Sequence, residues 1–193
     1  MRLFLDSFSP RQDESILDIG GTPYNWNLIG WKNKIVLLNI TSHSDTACPN
    51  NFIFVTGDGT DLQYPDKEFD IVFSNSVIEH VGSSQNQMKF SAEISRVGKR
   101  VWLQTPAREF FFEPHYLMPF IHWFSKKTQK KFIRNFSLWG LLSRPSQQLV
   151  NDTVDEINLL GYNEIKNLFP DYVIKKEKFL FMTKSYLVIK NSR

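Results

Sequence analysis

Two adjacent glycines, Gly20 and Gly21, directly follow an apolar run that is interrupted by one carboxylate, Asp18. Because glycine has no Cβ, the backbone at such a pair can approach a ligand closely. A carboxylate inside an apolar strand is costly unless it is hydrogen-bonded or paired. Held there, Asp18 can orient the turn or attract a cationic group of a ligand. The three residues therefore predict a ligand site where a buried strand ends.

Three further apolar runs also end in polar or small residues. These are Asn39 at the end of 35–40, Asp58 and Gly59 after 52–55, and Asn75, Ser76 and Val77 after 69–73. In open sheets of parallel strands, ligands bind at the carboxyl ends of the strands. We therefore expect a ligand to bind by the first turn, at the glycine pair. The plainer alternative is that the glycines only let a helix pack on the strand, and that Asp58 is a turn residue.

Three histidines, His80, His115 and His122, can take up a proton near neutral pH. His80 follows the fourth apolar run, and the other two lie in an aromatic stretch at 110–123. In the structural alternative, the aromatic residues form a hydrophobic core and the histidines cap it. No group of cysteines and histidines has the spacing of a zinc site, so the sequence predicts no metal.

The elements that must position these residues follow an alternating pattern of apolar runs and helix-length segments, which predicts a mostly parallel sheet covered on both faces. Strands are expected at 15–20, 35–40, 52–55, 69–73, 100–105, 172–178 and 179–189, and helices at 24–31, 85–97 and 154–168. The last two strands are expected to be antiparallel. The sequence thus predicts an α/β fold with seven strands, and an insert without a clear strand at 107–151.

The composition is that of an ordinary globular chain. Of its 193 residues, 41% are hydrophobic and 22% are charged, which suits one domain spanning 1–193. The net charge of +3 is local, because the window 126–134 holds five basic residues and no acidic one. The single cysteine, Cys48, excludes an internal disulfide and fits a reducing compartment. There is no apolar run of membrane-spanning length and no secretory signal pattern, so we expect a cytoplasmic protein.

Four motifs in order resemble those of a class I S-adenosylmethionine-dependent methyltransferase, most closely the small-molecule, type 11-like branch that includes quinone- and sugar-modifying enzymes. They are the glycine turn 17–21, Asn39, the loop 57–62 and the segment 69–80. Each falls at the carboxyl end of an expected strand. The resemblance covers nearly the whole chain and implies a Rossmann-like fold with S-adenosylmethionine as the cofactor.

The resemblance also implies how the cofactor would be held. Gly20 and Gly21 would lie against its methionine part, and Asp18 would help to hold its amino group, directly or through water. Asp58 would accept a hydrogen bond from the adenine amine, while the backbone of Gly59 reads the edge of the ring.

The methyl-transfer side would be lined by Asn75, Ser76 and Val77, with His80 near the pocket. The insert 107–151 follows the fifth strand and so emerges at the same edge of the sheet. We therefore expect it to form a lid that carries the acceptor site.

Three features depart from the family pattern. Thr22 and Pro23 stand where the first motif usually continues to a third glycine, and Asn39 stands where the family has an acid. An amide offers one acceptor and one donor group in place of two acceptor oxygens. We therefore expect weaker cofactor binding without its loss. The short segment before the first strand also predicts that the usual covering helix is missing or supplied by a partner.

Methyl transfer to an oxygen needs an aligned acceptor and removal of its proton. The resemblance therefore predicts O-methylation of a small molecule, such as a sugar or glycan, a quinone or a lipid-linked acceptor, with His80, His115 or His122 as the base. The alternative is a non-catalytic cofactor-binding or regulatory module that keeps the fold. A dinucleotide oxidoreductase is disfavoured because the G-x-G-x-x-G fingerprint is absent.

The segment 124–139 places Lys127, Lys130, Lys131 and Arg134 on one face of an expected helix, with aromatic and aliphatic residues on another side. Such a helix can lie on an anionic membrane surface. The alternative is a lid helix with its apolar side on the active site and its lysines in water. The basic window is too short for an extended phosphate track, so a nucleic-acid partner is disfavoured. An oligomer is compatible with the sequence.

Overall fold

A computed structural model describes residues 1–41 and 51–191, so Cys48 lies outside the described residues. Its main sheet has seven strands in the order β3-β2-β1-β4-β5-β9-β8. The strands are β1 (Ile16–Ile19), β2 (Ile35–Asn39), β3 (Phe52–Thr56), β4 (Phe69–Asn75), β5 (Gly98–Pro106), β8 (Val173–Phe179) and β9 (Met182–Lys190). The first five are mutually parallel, and β9 runs antiparallel to both of its neighbours. The predicted fold is confirmed.

Helices cover both faces of this sheet. On one face α3 (Ser84–Val97) and α7 (Tyr162–Leu168) pack on alternate side chains of the central strands, including Leu17 and Ile19. On the other face α1 (Arg2–Phe8) and α2 (Pro23–Leu28) pack on strand residues that include Ile16. The alternation follows from the period of two along a strand.

The expectation that the covering helix before the first strand is missing was wrong. Helix α1 places Phe4 and Phe8 one turn apart, and both are buried among Trp26, Phe73 and Trp102. The rings of Phe4 and Phe73 meet edge to face with centroids 5.1 Å apart. The buried aromatic surface keeps this seven-residue helix in place, although a helix of that length is marginal by itself.

The predicted helix at 154–168 is divided into α6 (Gln147–Glu156) and α7. Between them the amide of Asn158 donates to the carbonyl of Glu79 at 2.8 Å, which draws the chain out of helical geometry. The chain re-enters a helix after Gly161, whose amide donates to the side chain of Glu164 at 2.7 Å. The break matters because it brings the end of α6 to the carboxyl edge of the sheet.

The insert begins with a hairpin of two short strands, β6 (Phe112–Glu113) and β7 (Met118–Pro119), each two residues long. Helices α4 (Lys126–Phe136) and α5 (Leu138–Ser143) follow. The hairpin departs from the expectation of no strand. The insert and α6 share a small core of their own, formed by Tyr116, Ile121, Ile133, Val150, Val154 and Ile157. None of the helices in the described ranges combines the length and the hydropathy that crossing a membrane would require.

Candidate active site

The glycine turn after β1 is built on Asp18. Its carboxylate is 1% exposed, and its Oδ2 atom accepts a 2.7 Å hydrogen bond from the indole of Trp26. A Cβ on Gly21 would overlap this carboxylate, so glycine is needed there for Asp18. Burial raises the pKa of Asp18 to about 8, although the bond from Trp26 opposes the shift. Asp18 therefore lies beneath the turn and orients it.

Gly20 has a left-handed backbone, with φ of 75°. A Cβ there would overlap the side chain of Val77, and its amide donates to the carbonyl of Leu38 at 2.8 Å. Gly20 therefore brings the ends of β1, β2 and β4 into contact, and only a residue without a side chain fits at this point.

A cavity of about 310 Å³ opens at the carboxyl ends of these strands. Among its lining residues are six of the sequence-predicted site residues, namely Gly20, Asn39, Asp58, Gly59, Val77 and His80. Asp18 and Gly21 are not among its lining residues. The structure thus brings together residues that are up to 60 positions apart in the chain.

Asn39 and Asp58 are each partly used by the protein itself. The Nδ2 atom of Asn39 donates to the carbonyl of Gly21 at 3.0 Å, so this amide braces the glycine turn. Oδ1 of Asp58 accepts from the amide and hydroxyl of Thr60 at 2.8 and 2.9 Å. Next to it, a Cβ on Gly59 would lie 2.7 Å from the ring of Phe90, which explains the glycine.

At the end of β4 the chain turns sharply. Ser76 has a left-handed backbone, with φ of 57°, and its hydroxyl bonds the side-chain oxygen of Gln104 at 3.0 Å. Asn75 beside it is exposed. Ser76 and Gln104 form one wall of a second cavity of about 390 Å³, whose other wall includes Phe110 and Phe112 of the insert.

Two of the predicted histidines meet. The Nε2 atoms of His80 and His115 lie 3.1 Å apart, although the residues are 35 positions apart in the chain. Nδ1 of His80 contacts Glu156 at 3.0 Å, and Nδ1 of His115 contacts Glu113 at 2.6 Å. Burial by itself would lower the pKa of His115, but the bond and charge of Glu113 and the charges of Glu79 and Glu156 raise it above its usual value.

The third histidine lies apart from this pair. Nε2 of His122 donates to the carbonyl of Arg108 at 3.1 Å, and burial lowers the pKa of His122. It lines a third cavity of about 420 Å³, together with Arg108, Glu113 and Lys126. His122 is therefore separated from the cavity that carries the glycine turn.

Sequence reasoning did not single out two acidic residues of this site as functional. Glu79 is fully buried, and its Oε2 atom accepts from the hydroxyl of Thr105 at 2.9 Å. Glu156 reaches His80 only because the helix predicted at 154–168 breaks after it. Glu79 could have been found from the sequence, because it stands next to His80 in the fourth motif. No local signal marks Glu156.

Comparison with known proteins gives a family match for part of the chain. Residues 27–100 match the family model of a methyltransferase domain, a stretch that contains Asn39, Asp58 and His80 but begins after the glycine turn. No curated protein matches the chain.

Solved structures of methyltransferases share the fold. A SAM-dependent methyltransferase from Archaeoglobus fulgidus has a TM-score of 0.62 at 13% identity, with 97% of this chain and 89% of that one covered. One from Methanosarcina mazei has a TM-score of 0.52 at 15% identity, covering 93% and 92%. One from Aquifex aeolicus has a TM-score of 0.51 at 14% identity, covering 96% and 90%. Likeness at these identities establishes the fold.

Residues 27–100 therefore match a methyltransferase domain, and nearly the whole chain shares the fold of solved S-adenosylmethionine-dependent methyltransferases. The match and the shared fold imply S-adenosylmethionine as the cofactor. The donor set around the 310 Å³ cavity fits that molecule, because it offers a bare glycine turn, an exposed carboxylate at Asp58 and the polar side chain of Asn39.

Proposed function

We propose that this chain transfers a methyl group from S-adenosylmethionine to an oxygen atom of a small molecule. The observation that carries the proposal is the 310 Å³ cavity, where the glycine turn, Asn39 and Asp58 surround one space and His80 stands at its edge. The acceptor classes that suit the site are a sugar or glycan, a quinone or a lipid-linked molecule.

Each wall of the cavity has a proposed role. The turn at Gly20 and Gly21, oriented by the buried Asp18, receives the methionine part of the cofactor. Asn39 keeps its Oδ1 atom for a ribose hydroxyl while its Nδ2 atom holds the turn. Asp58 receives the adenine amine through Oδ2, since Oδ1 is engaged with Thr60.

The insert 107–151 is proposed to form the acceptor site. Its residues Phe110 and Phe112 face Ser76 and Gln104 across the 390 Å³ cavity, so sheet and insert enclose one space. Asn75, Ser76 and Val77 then separate the acceptor from the cofactor. An enclosed, mostly apolar space holds an acceptor in line, which supplies much of the rate of a displacement.

Proton removal is assigned to the histidines. The cofactor supplies an electrophilic methyl group on a sulfonium, whose sulfur keeps the electron pair of the broken bond. The acceptor oxygen loses its proton to His80 or His115, and Glu156 and Glu113 hold those rings in position. His122 is the remaining candidate, with its Nδ1 atom buried and unpartnered within the described chain.

A binding or regulatory module without turnover is the second candidate function. Two observations favour it. Asn39 stands where the family has an acid, and its amide group already donates a hydrogen bond to the carbonyl of Gly21. Asp18 is buried and does not line the cavity. Calorimetric titration with S-adenosylmethionine and with its demethylated product tests cofactor binding. A screen with labelled cofactor against sugars, quinones and small acids then tests turnover. Absence of binding to both ligands contradicts either function, and binding without transfer to any acceptor favours the module.

A peripheral membrane contact through 124–139 is a further proposal about partners. Only part of the predicted basic face is free, because Lys130 pairs with Asp155 at 2.6 Å and Arg134 donates to the carbonyl of Pro145. Lys127 and Lys131 remain exposed beside a ridge of exposed apolar side chains, namely Phe132, Phe136, Leu138, Leu141 and Leu142. Such a ridge suits delivery of a lipid-linked acceptor. The single cysteine supports a cytoplasmic location.

A further inference from the structure

The contact between His80 and His115 places two lone pairs against each other. An ionised carboxylate only accepts hydrogen bonds, so Glu156 and Glu113 fix the protons of both rings on Nδ1. Both Nε2 atoms are then acceptors, and they face each other at 3.1 Å. This arrangement is repulsive unless a proton or a metal ion lies between them.

A third unsatisfied acceptor lies close to the two rings. Glu79 is fully buried, and its Oε1 atom has no hydrogen-bond partner within the described residues, while Oε2 is held by Thr105. One ligand atom each from Glu79, His80 and His115 lie within 4.8 Å of one another. Leaving a buried carboxylate oxygen unpaired is costly, and either a proton or a metal ion would remove that cost.

We propose that Glu79, His80 and His115 bind a divalent first-row transition metal ion. Metal–nitrogen bonds of about 2.0–2.1 Å at angles between octahedral and tetrahedral place two ligand nitrogens roughly 2.9–3.4 Å apart. The two Nε2 atoms are 3.1 Å apart and already meet this requirement. The carboxylate lies further out and has to move inward on binding.

The donor set selects the kind of metal. Two imidazoles and one carboxylate suit zinc, iron, cobalt or nickel better than magnesium or calcium, which prefer oxygen ligands throughout. Glu113 and Glu156 act as the partners that orient metal-bound histidines through the other ring nitrogen. Three carboxylates around two neutral imidazoles also give the negative charge that a dication balances.

The position of the ion gives it a role. His80 lines the cofactor cavity, so an ion held by this histidine would lie at the edge of that space. There the ion would lower the pKa of an acceptor hydroxyl bound to it, whose proton would pass to water. With the metal on both Nε2 atoms, His80 and His115 would act as ligands and no longer take that proton themselves. This role rests on the proposed methyl transfer, whereas binding of the metal does not.

Metal binding is tested on the full chain after dialysis against a chelator. Titration with cobalt(II) and zinc(II), followed by calorimetry and by the visible absorption of cobalt, should give one ion per chain. His115→Ala and Glu79→Gln should each lower the affinity more than Glu113→Gln, which should lower it by about 10- to 100-fold. His122→Ala is the control, since this histidine lies in the same insert outside the cluster, and it should bind as the wild type does.

Two results overturn the proposal. One is the absence of stoichiometric binding by the wild type, which leaves a shared proton between the two rings as the arrangement. The other is binding that His115→Ala and Glu79→Gln leave unchanged. If Glu79→Gln does not fold, the partly exposed His115→Ala decides. Titration with S-adenosylmethionine in chelator separates this outcome from the proposed function, because cofactor binding needs no metal.

Discussion

The indole of Trp26 donates a 2.7 Å hydrogen bond to the carboxylate of Asp18, and both side chains are buried between α2 and the sheet. The carboxylate fills the space that a side chain at Gly21 would need. The glycine turn at Gly20 and Gly21 therefore packs on the carboxyl group of Asp18, and burial makes the charged form of this group costly. This pair makes the stability of the site dependent on pH.

Stability should fall as pH rises because of Asp18. Its pKa is about 8 in the folded chain and 3.8 when exposed, so between these values only the folded state keeps the proton. The free energy of unfolding then decreases by at most about 1.4 kcal/mol per pH unit. Urea unfolding from pH 4 to 9 should show this slope in the wild type relative to Asp18→Asn, which can still accept from Trp26. A difference between the two proteins that is constant with pH contradicts the assignment.

Gly20→Ala should destabilise the chain and weaken cofactor binding. The change combines backbone strain at φ of 75° with overlap against Val77. Gly30→Ala is the matched control, because Gly30 has φ of 63° but open space around it. Left-handed strain costs about 1–2 kcal/mol, so denaturant unfolding should show that loss for Gly30→Ala and a larger one for Gly20→Ala. Equal losses would mean that the contact with Val77 is not important.

Asp58→Ala should weaken binding of S-adenosylmethionine by about 1 kcal/mol or more, which is the typical net value of a hydrogen bond. Calorimetry measures the change directly. Asp61→Ala removes an exposed carboxylate from the same loop and should leave the affinity unchanged. If both variants bind as tightly as the wild type, the adenine assignment is wrong.

The histidines should divide into two groups once an acceptor is identified. His80→Ala and His115→Ala should lower turnover by about 100- to 10,000-fold, the usual contribution of a proton acceptor. His122→Ala should have a smaller effect, since its ring is tied to Arg108 outside the cofactor cavity. Wild-type turnover in all three variants would leave positioning of the acceptor as the source of the rate.

The exposed ridge on α4 and α5 should bind anionic vesicles at low salt. Each basic residue near such a surface contributes about 1 kcal/mol, and salt screens the attraction. Lys127→Glu with Lys131→Glu should abolish co-sedimentation, because both lysines are exposed and lack an ion pair within the described chain. Lys175→Glu with Lys178→Glu on β8 makes the same charge change elsewhere and should have no effect. A wild type that stays in the supernatant would leave this region as a lid only.

Much of the fold was predictable from local patterns. Buried strands appeared as short apolar runs, and Gly20 and Gly21 marked the turn where the first of them ends. Those signals are local, because burial of neighbouring side chains and freedom at positive φ depend on residues close in the chain. The residues around the 310 Å³ cavity were predicted from the resemblance to the methyltransferase family, whose motifs fall at the carboxyl ends of parallel strands.

Other features lacked such a signal. Helix α1 is seven residues long and is held by aromatic packing against Phe73 and Trp102, which lie far along the chain. The break between α6 and α7 depends on the bond from Asn158 to Glu79, which are 79 residues apart. Tertiary contacts stabilise an unpredicted helix at the first place and interrupt a predicted helix at the second. A pattern within one segment does not contain its distant partner.

The sequence by itself determined the order of the strands along the chain, the glycine turn and the types of residue at the strand ends. Only the tertiary structure decided that His80 and His115 meet, that Glu113 and Glu156 hold their outer nitrogens, and that Asp18 supports the turn from beneath. The reason is that residue type and periodicity act over a few positions. Distances between side chains from β4, the insert and α6 are instead set by the packing of the whole chain.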